Sequence, residues 1–139
     1  MTRIKYSEEL IKFMSLFGAV TKSRVKDCFF DDYGQLFFII NQGDIRKAVG
    51  KNGTNIIKIK SMIKRKFRVV EFNSDISQFL KNLVYPLVLK EIELKDSIFE
   101  IKGLDTKTKG LLIGRNAMNI KNYENIIKRY FDIGGLKVI

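Results

Sequence analysis

The stretch Val49-Gly50-Lys51-Asn52-Gly53-Thr54-Asn55-Ile56 decides how this chain is interpreted, because its two glycines flank a cation and an amide between two helical segments. Glycine adopts positive φ angles without strain and has no Cβ, so such a loop lets another backbone approach closely. Lys51 adds a positive charge, Asn52 offers hydrogen bonds, and the amides that open the next helix add partial positive charge. The loop is a candidate site for a sugar-phosphate backbone, although turns between helices also use glycine for purely structural reasons.

The same pattern returns 64 residues later, at Ile113-Gly114-Arg115-Asn116-Ala117-Met118-Asn119-Ile120. Identical residues recur at this offset from Gly50, Asn52, Asn55 and Ile56, and the match continues from 63–65 to 127–129 and from Phe67 to Phe131. Two copies of so long a unit indicate two domains, because a solenoid needs at least about three short repeats. We place the boundary near residues 73 and 74, which gives domains 1–73 and 74–139.

Hydrophobic periodicity and turn signals predict the same order of elements in each half. In the first half we expect a helix capped by Ser7 and ending at Gly18, strands at 24–32 and 35–41, a short helix at 45–49, a helix from 54 to about 66 capped by Thr54, and a strand at 67–72. In the second half we expect a helix at 75–85, strands at 87–94 and 97–102, helices at 106–113 and from the loop to about 130, and a strand at 136–139. The predicted fold class is α+β, with a three-stranded sheet and helices packed on one face in each domain.

The charge of the chain favours a nucleic-acid partner. Lys and Arg number 26 against 15 Asp and Glu, which gives a formal charge of +11 and attracts phosphates. The surplus is uneven, at +8 for residues 1–73 and +3 for residues 74–139. We therefore expect the first half to dominate any RNA binding. A basic but merely solvated surface is the alternative interpretation.

Several classes of function find no support in the sequence. Histidine is absent and the only cysteine, Cys28, lies in an apolar stretch, so the commonest general base and the usual metal-ligand sets are missing. We expect no catalytic residues, no metal, no cofactor and no small-molecule substrate, and hence not an enzyme. No apolar run reaches the roughly 18 to 20 residues of a membrane span. The first seven residues lead into charged ones rather than into the apolar core of a signal sequence, so we expect no signal sequence. We expect a cytoplasmic protein without a membrane partner.

The loop, its flanking helices and its second copy resemble the KH domain. The element order α-β-β-α-α-β is that of the type II, prokaryotic form, so the resemblance implies two tandem type II KH domains. Two such units in a chain of this size are similar to the archaeal NusA-like transcription factors, relatives of the KH portion of bacterial NusA, over about residues 5–139. The resemblance implies binding of single-stranded RNA and a role in transcription elongation or termination, with RNA polymerase as a further candidate partner.

The resemblance also implies which residues contact RNA, with the backbone over the loop and unpaired bases in an adjoining apolar groove. The candidates in the first domain are Gly50, Lys51, Asn52, Gly53, Thr54 and Asn55 in and after the loop, Ile45, Val49 and Ile56 in the groove, and Lys47 on a phosphate. The alternative for the apolar residues is an ordinary core position. Further candidate phosphate contacts, which are alternatively a solvated surface, are Lys58, Lys60, Lys64, Arg65 and Arg68.

The second loop supplies the candidates Gly114, Arg115, Asn116 and Ala117. Ala117 stands where the first loop has glycine, and its Cβ makes a positive φ angle more costly. We therefore expect a secondary RNA site there. Two other functions stay open: a ribosome-associated KH protein, and a protein-interaction scaffold with weak RNA binding whose basic surface meets an acidic partner.

Overall fold

The computed structural model describes residues 6–139, which form two compact units divided between Asn73 and Ser74. Unit 1 contains α1 (Glu8–Thr21), β1 (Val25–Phe30), β2 (Leu36–Ile40), α2 (Ile45–Val49), α3 (Thr54–Ile63) and β3 (Phe67–Glu71). Unit 2 contains α4 (Ile76–Val84), β4 (Leu89–Lys95), β5 (Ile98–Gly103), α5 (Thr106–Ile113), α6 (Met118–Lys128) and β6 (Gly135–Val138). This mixed α+β architecture confirms the predicted fold class. Residues 1–5, where we expected no signal sequence, lie outside the described part.

Each unit holds one three-stranded sheet, and the sheet topology determines where the loops lie. The strand orders are β1-β2-β3 and β4-β5-β6. The first pair in each sheet is antiparallel and the second is parallel, with Phe38 of β2 opposite both Cys28 and Val69. Parallel neighbours require a crossover connection. In unit 1 that crossover is α2, the first loop (residues 50–53) and α3, and in unit 2 it is α5, the second loop (residues 114–117) and α6.

The core of unit 1 lies between its sheet and its helices. Phe17 of α1 stacks on Phe38 of β2, with the ring centroids 4.4 Å apart. Cys28 of β1 is fully buried in the same cluster, as its apolar context predicted. Ala48 of α2 and Ile59 of α3 are fully buried there as well. Burial of these last two side chains holds both helices that flank the first loop against the sheet.

The predicted start of α1 is confirmed, but its predicted end is wrong. The Ser7 hydroxyl accepts an amide hydrogen bond in the first turn, whereas the helix continues through Gly18 to Thr21. The Thr21 hydroxyl donates to the Phe17 carbonyl at 2.7 Å, and Lys22 then ends the helix in the left-handed region, at φ 57°. The helix passes through Gly18 without a break, since a single glycine in a helix costs only about 1 kcal/mol.

The ends of the long helices also differ from expectation. α3 ends at Ile63 rather than near residue 66, because Lys64 turns into the left-handed region at φ 57°. Phe67 opens β3, but its sequence match Phe131 lies outside β6. Three residues connect α3 to β3, whereas six connect α6 to β6. The structural match between the two units at a 64-residue offset therefore ends with helices α3 and α6.

A carboxylate precedes each helix that leads into a loop. The buried Asp44 side chain accepts hydrogen bonds from the Arg24 backbone amide at 2.8 Å and from its Nε at 3.3 Å. The backbone hydrogen bond, helped by the Arg24 side chain, lowers the pKa of Asp44 below its ordinary 3.8. Asp105 accepts from the Thr108 amide at 2.8 Å, and this bond likewise lowers the pKa of Asp105. Asp44 thus ties the start of α2 to the chain entering β1.

Replacement of Asp44 by asparagine should change how stability depends on pH. A carboxyl with a depressed pKa contributes stability that is present above its ordinary pKa and lost as pH falls through its folded-state pKa. We expect the difference in unfolding free energy between wild type and Asp44→Asn to shrink as pH falls below 3.8. Urea denaturation at a series of pH values measures it. Asp96→Asn, at an exposed turn, is the control, and a difference for Asp44→Asn that stays constant with pH contradicts the assignment.

Candidate nucleic-acid interface

The first loop adopts backbone angles that most residues avoid. Gly50 lies at φ 77°, ψ 170°, a region open essentially to glycine alone. Asn52 (φ 55°, ψ 29°) and Gly53 (φ 73°, ψ 16°) are both left-handed, where asparagine and glycine are the favoured residues. The Gly50 amide donates to the Arg46 carbonyl at 2.9 Å, and the Gly53 amide donates to the Gly50 carbonyl at 3.2 Å. The loop is a defined single turn between two helices.

A side-chain hydrogen bond closes the first loop. The Asn55 Nδ2 group, in the first turn of α3, donates to the Lys47 carbonyl in α2 at 2.9 Å. This bond ties together the two helix ends that the loop separates. The Asn55 side chain also lies against Gly50, where an added Cβ would come within 2.9 Å of the Asn55 Cγ. Gly50 is therefore required by its backbone angles and by the space that Asn55 occupies.

The second loop repeats this construction. Gly114 lies at φ 73°, ψ 171° and Asn116 at φ 56°, ψ 31°. The Asn119 Nδ2 group donates to the Leu111 carbonyl at 2.8 Å, and a Cβ on Gly114 would come within 2.5 Å of the Asn119 Cγ. The asparagine that recurs at the 64-residue offset is the feature of the sequence that indicates this hydrogen bond. We predicted an RNA contact for Asn55 instead.

Ala117 adopts the backbone conformation of its glycine counterpart. It lies at φ 59°, ψ 24°, close to the angles of Gly53. A left-handed residue with a Cβ costs about 1 to 2 kcal/mol, but no steric obstacle adds to that cost at the equivalent position, since a Cβ on Gly53 would have no atom within 4 Å. The substitution that we expected to weaken the second loop thus leaves its backbone shape unchanged.

A cavity of about 480 Å³ lies beside the first loop. Ile45 and Val49, one turn apart on α2, form its apolar part, and Arg46, Gly50 and Lys51 complete it. Both apolar side chains are half-buried. Sequence reasoning missed Arg46, although its spacing of three and four residues from Val49 and Gly50 places it on the same helix face. The cavity therefore combines an apolar wall with two cations.

The cations and amide of the first loop are accessible. Lys51 and Asn52 are exposed, and neither side chain makes a hydrogen bond or ion pair with any of residues 6–139. The Lys47 side chain is exposed as well. Arg115 and Asn116 hold the equivalent exposed positions in the second loop. Each loop therefore presents one cation and one amide to solvent.

Three of the residues predicted to contact RNA lie outside the cavity. Ile56 packs against the core of unit 1 and does not line the cavity. Asn55 donates its amide to Lys47. Thr54 is exposed and is the first residue of α3, and Gly53 holds the cap position without a side-chain bond. The prediction that Thr54 caps the helix is wrong, because the left-handed Gly53 brings the chain directly into the helix.

The basic residues after the first loop fall into two groups. Lys58, Lys60 and Lys64 are exposed. Arg65 lies over the Phe30 ring at 4.7 Å and pairs with Glu9 at 3.6 Å. Arg68 lies over the Phe37 ring at 5.5 Å and is half-buried. The two arginines have packing roles within unit 1, whereas the lysines extend the exposed positive charge from the loop along α3.

Other kinds of site are not found within residues 6–139. No group of three or more Cys, Asp or Glu side chains is placed to hold a metal ion. None of the helices in this range has the length and hydrophobicity needed to cross a membrane.

Comparison with known proteins finds several that resemble this chain over most of its length. No protein-family model matches it. A probable transcription termination protein NusA from Methanococcus vannielii is 29% identical over 141 residues, which cover 99% of this chain and 80% of the relative. The protein of the same name from Methanocaldococcus jannaschii is 26% identical, covering 100% and 77%, and that from Halococcus morrhuae is 24% identical, covering 98% and 99%. The chain is therefore similar, over nearly its whole length, to archaeal proteins named as probable NusA.

A solved structure supports the fold of this NusA-like chain. The crystal structure of APE1850 superposes with a TM-score of 0.72 at 22% sequence identity, covering 96% of this chain and 100% of that one. The likeness extends across both units of the NusA-like protein. Its α+β architecture, with two three-stranded sheets, fits a KH-like fold.

The two glycines of the first loop should respond differently to substitution. Gly50→Ala places a Cβ against Asn55 at backbone angles that cost roughly 1 to 3 kcal/mol. Gly53→Ala meets open space and costs only the strain of its left-handed angles, about 1 to 2 kcal/mol. We expect Gly50→Ala to lower the unfolding free energy clearly more than Gly53→Ala in urea denaturation. Equal losses contradict the role of Asn55.

Ala117→Gly should keep or raise stability in the second unit. Removing the Cβ relieves about 1 to 2 kcal/mol of left-handed strain, and the greater freedom of glycine in the unfolded chain offsets about 0.4 to 1 kcal/mol of this gain. The control is Ala19→Gly, at an exposed position inside α1, which should lose about 1 kcal/mol. Thermal unfolding of both variants measures the contrast. If Ala117→Gly loses as much stability as Ala19→Gly, then Ala117 is not strained in the wild-type protein.

Proposed function

We propose that this NusA-like chain is a non-catalytic transcription factor that binds single-stranded RNA through both loops. The observation that carries the proposal is the duplicated loop geometry, in which Lys51 with Asn52 and Arg115 with Asn116 are exposed at matching backbone angles. A fixed loop loses little conformational freedom when it binds, which favours affinity. The exposed cations attract phosphates in the same way at both sites.

The RNA backbone passes over the loop itself. Gly53, whose Cβ position faces open space, leaves no side chain between the RNA and the loop backbone, and Gly50 gives the loop its shape. Lys51 contributes charge, Asn52 contributes hydrogen bonds, and the exposed lysines Lys58, Lys60 and Lys64 extend the positive surface along α3. Such contacts position RNA without reading its sequence. Binding that tolerates many sequences follows from this arrangement.

Bases occupy the cavity beside the first loop. Its wall of Ile45 and Val49 suits the flat apolar face of an unpaired base. Arg46 and Lys51 lie at its margin, where their donors meet base edges or phosphates. Lys47, on the exposed side of α2, completes the set of cations around the site.

Each unit is a type II KH domain in this proposal, with domain 1 at residues 1–73 and domain 2 at residues 74–139. The element order α-β-β-α-α-β and the glycine loop between the fourth and fifth elements support the assignment. The first site dominates, because residues 1–73 carry the larger positive charge. The second site, at Gly114, Arg115, Asn116 and Ala117, is secondary because less charge surrounds it.

The names of the relatives indicate the cellular process in which this chain acts. Archaeal proteins that match nearly the whole chain are called probable transcription termination proteins. We place the RNA partner accordingly among nascent transcripts, with RNA polymerase as the protein partner and with elongation or termination as the step affected.

Substitution of Lys51 tests the RNA site. Lys51→Glu should weaken binding of a labelled single-stranded 12-nucleotide RNA by about tenfold, which corresponds to 1.4 kcal/mol. Arg115→Glu should weaken binding less. Lys51→Ala should reduce the slope of log affinity against log salt by about 0.7, because one phosphate contact is lost. Fluorescence anisotropy at several salt concentrations measures both quantities.

Lys12→Glu is the matched control for charge, because Lys12 is exposed on α1 and lies outside both loops. It alters net charge by the same amount as Lys51→Glu. If the two variants bind RNA equally well, general charge accounts for the affinity and the loop assignment is wrong.

A further inference from the structure

Arg46 lies at the edge of the cavity beside the first loop. Ile45 and Val49 form the apolar wall of this cavity, and the Arg46 carbonyl accepts the Gly50 amide at 2.9 Å, which links its position to the loop. The Arg46 side chain is exposed and makes no hydrogen bond or ion pair with any of residues 6–139. Its guanidinium is therefore available to a ligand that enters the cavity.

The sequence around Arg46 contains no carboxylate that competes for its guanidinium. Residues 45–70 include nine Lys and Arg and no Asp or Glu. Asp44, the carboxylate just before this segment, is buried and accepts hydrogen bonds from Arg24. Glu71, the carboxylate just after it, accepts a backbone amide at 3.0 Å. An electronegative ligand at Arg46 thus meets positive charge on this segment and no opposing carboxylate.

The second unit lacks this arginine. Gly110 follows Arg46 by 64 residues, and its carbonyl accepts the Gly114 amide at 2.9 Å, as the Arg46 carbonyl does in the first loop. Lys109 stands where the first site has Ile45, so a cation replaces one of the two apolar wall residues. Since the two loops match in backbone angles, the sites differ mainly in the helix that precedes each loop.

Arginine distinguishes bases because its guanidinium donates hydrogen bonds and accepts none. Its planar fork pairs with two adjacent acceptors, such as N7 and O6 of guanine. Cytosine offers N3 and O2 in the same way. Adenine places a donating amino group beside N7, and uracil places an N–H donor between its two carbonyl oxygens. A base whose face lies on the apolar wall presents one of these edges to Arg46.

We propose that the first site selects, through Arg46, a base with two adjacent acceptors, guanine or cytosine, whereas the second site holds the RNA backbone without selecting a base. This inference rests on the proposed function and assigns base specificity within it. Ile45 and Val49 contact the face of the selected base, and Arg46 donates to its edge. In the second site, Arg115 and Asn116 contact the backbone alone. One selected nucleotide thus fixes the register of an RNA whose other contacts tolerate many sequences.

Four labelled 12-nucleotide RNAs test the proposal on the full chain. In each RNA an abasic ribose alternates with one base, which is guanine, cytosine, adenine or uracil, so that no strand pairs with itself. We expect guanine to bind at least about fivefold more tightly than adenine, and cytosine than uracil, which is the low end for a bidentate arginine contact. Fluorescence anisotropy measures the four affinities. Equal binding within both pairs, or tighter binding of adenine and uracil, overturns the proposal.

Variants of Arg46 separate base selection from general charge. Arg46→Lys keeps the charge but loses the planar fork, so the ratio of guanine to adenine affinity should fall to near one while affinity for the uracil RNA changes little. Arg65→Lys is the matched control, because Arg65 lies over the Phe30 ring and not at the cavity, and it should keep the ratio. A ratio that survives Arg46→Lys excludes Arg46 as the selecting residue.

The two distinguishing residues can be transferred to the second unit. A Cβ on Gly110 would have no atom within 4 Å, so the variant Lys109→Ile/Gly110→Arg has room for its new side chain. Combined with Arg46→Lys, this pair should restore the preference for guanine over adenine. If the combined variant binds both RNAs alike, these two positions do not account for base selection and the proposed division between the sites is wrong.

Failure of this proposal is distinguishable from failure of the proposed function. If none of the four RNAs binds, or if Lys51→Glu leaves their binding unchanged, the first loop is not an RNA site and both proposals are wrong. If all four RNAs bind alike and Lys51→Glu weakens them alike, RNA binding at the first loop stands and base selection by Arg46 is wrong.

Discussion

The hydrogen bond from the Asn55 amide to the Lys47 carbonyl is the constraint on which the first loop depends. The Asn55 Nδ2 and the Lys47 oxygen are 2.9 Å apart, and the bond joins the end of α2 to the start of α3, which restrains the turn between them. The Asn55 side chain that makes this bond also fills the space beside Gly50. Since Ala48 and Ile59 bury the two helices in the core, the loop projects from a rigid base. These contacts all favour the loop conformation that the structure shows.

The second unit shows which parts of that construction tolerate change. Both asparagines and the first glycine are retained, and the Asn119 amide bonds to the Leu111 carbonyl as Asn55 does to Lys47. Arg115 replaces Lys51 and keeps its charge. At the last loop position Ala117 replaces Gly53 and meets a strain that is local and modest. Divergence is larger elsewhere: unit 2 has an exposed first strand and a longer connection after α6. The units are thus alike at their loops and different at the opposite ends of their long helices.

Much of the fold was predictable from the sequence, because the elements are short and strongly patterned and because the second copy tests the first. The strands around Phe38 and the helix at Ile45–Val49 were predicted closely. The errors fall where side-chain contacts outweigh local signals. Gly18 lies inside a helix that Thr21 and Lys22 end, and Phe131 repeats Phe67 in sequence but packs on α4 outside any strand. In the site, the cations and glycines were predicted as residues of two loops between helices, and they lie there. The roles of Asn55 and Arg46 depend on distances across the loop that the one-dimensional pattern does not contain.

The burial of Cys28 has a practical consequence for following this protein in solution. It is the only cysteine in the chain, and its side chain is fully enclosed by the core of unit 1. An inaccessible thiol reacts slowly with alkylating reagents. A cysteine introduced at Asn52 or Asn116, both exposed, would therefore be the only thiol open to modification without altering the native residue. Fluorophores attached there, one at a time, would report separately from the two copies of a duplicated surface.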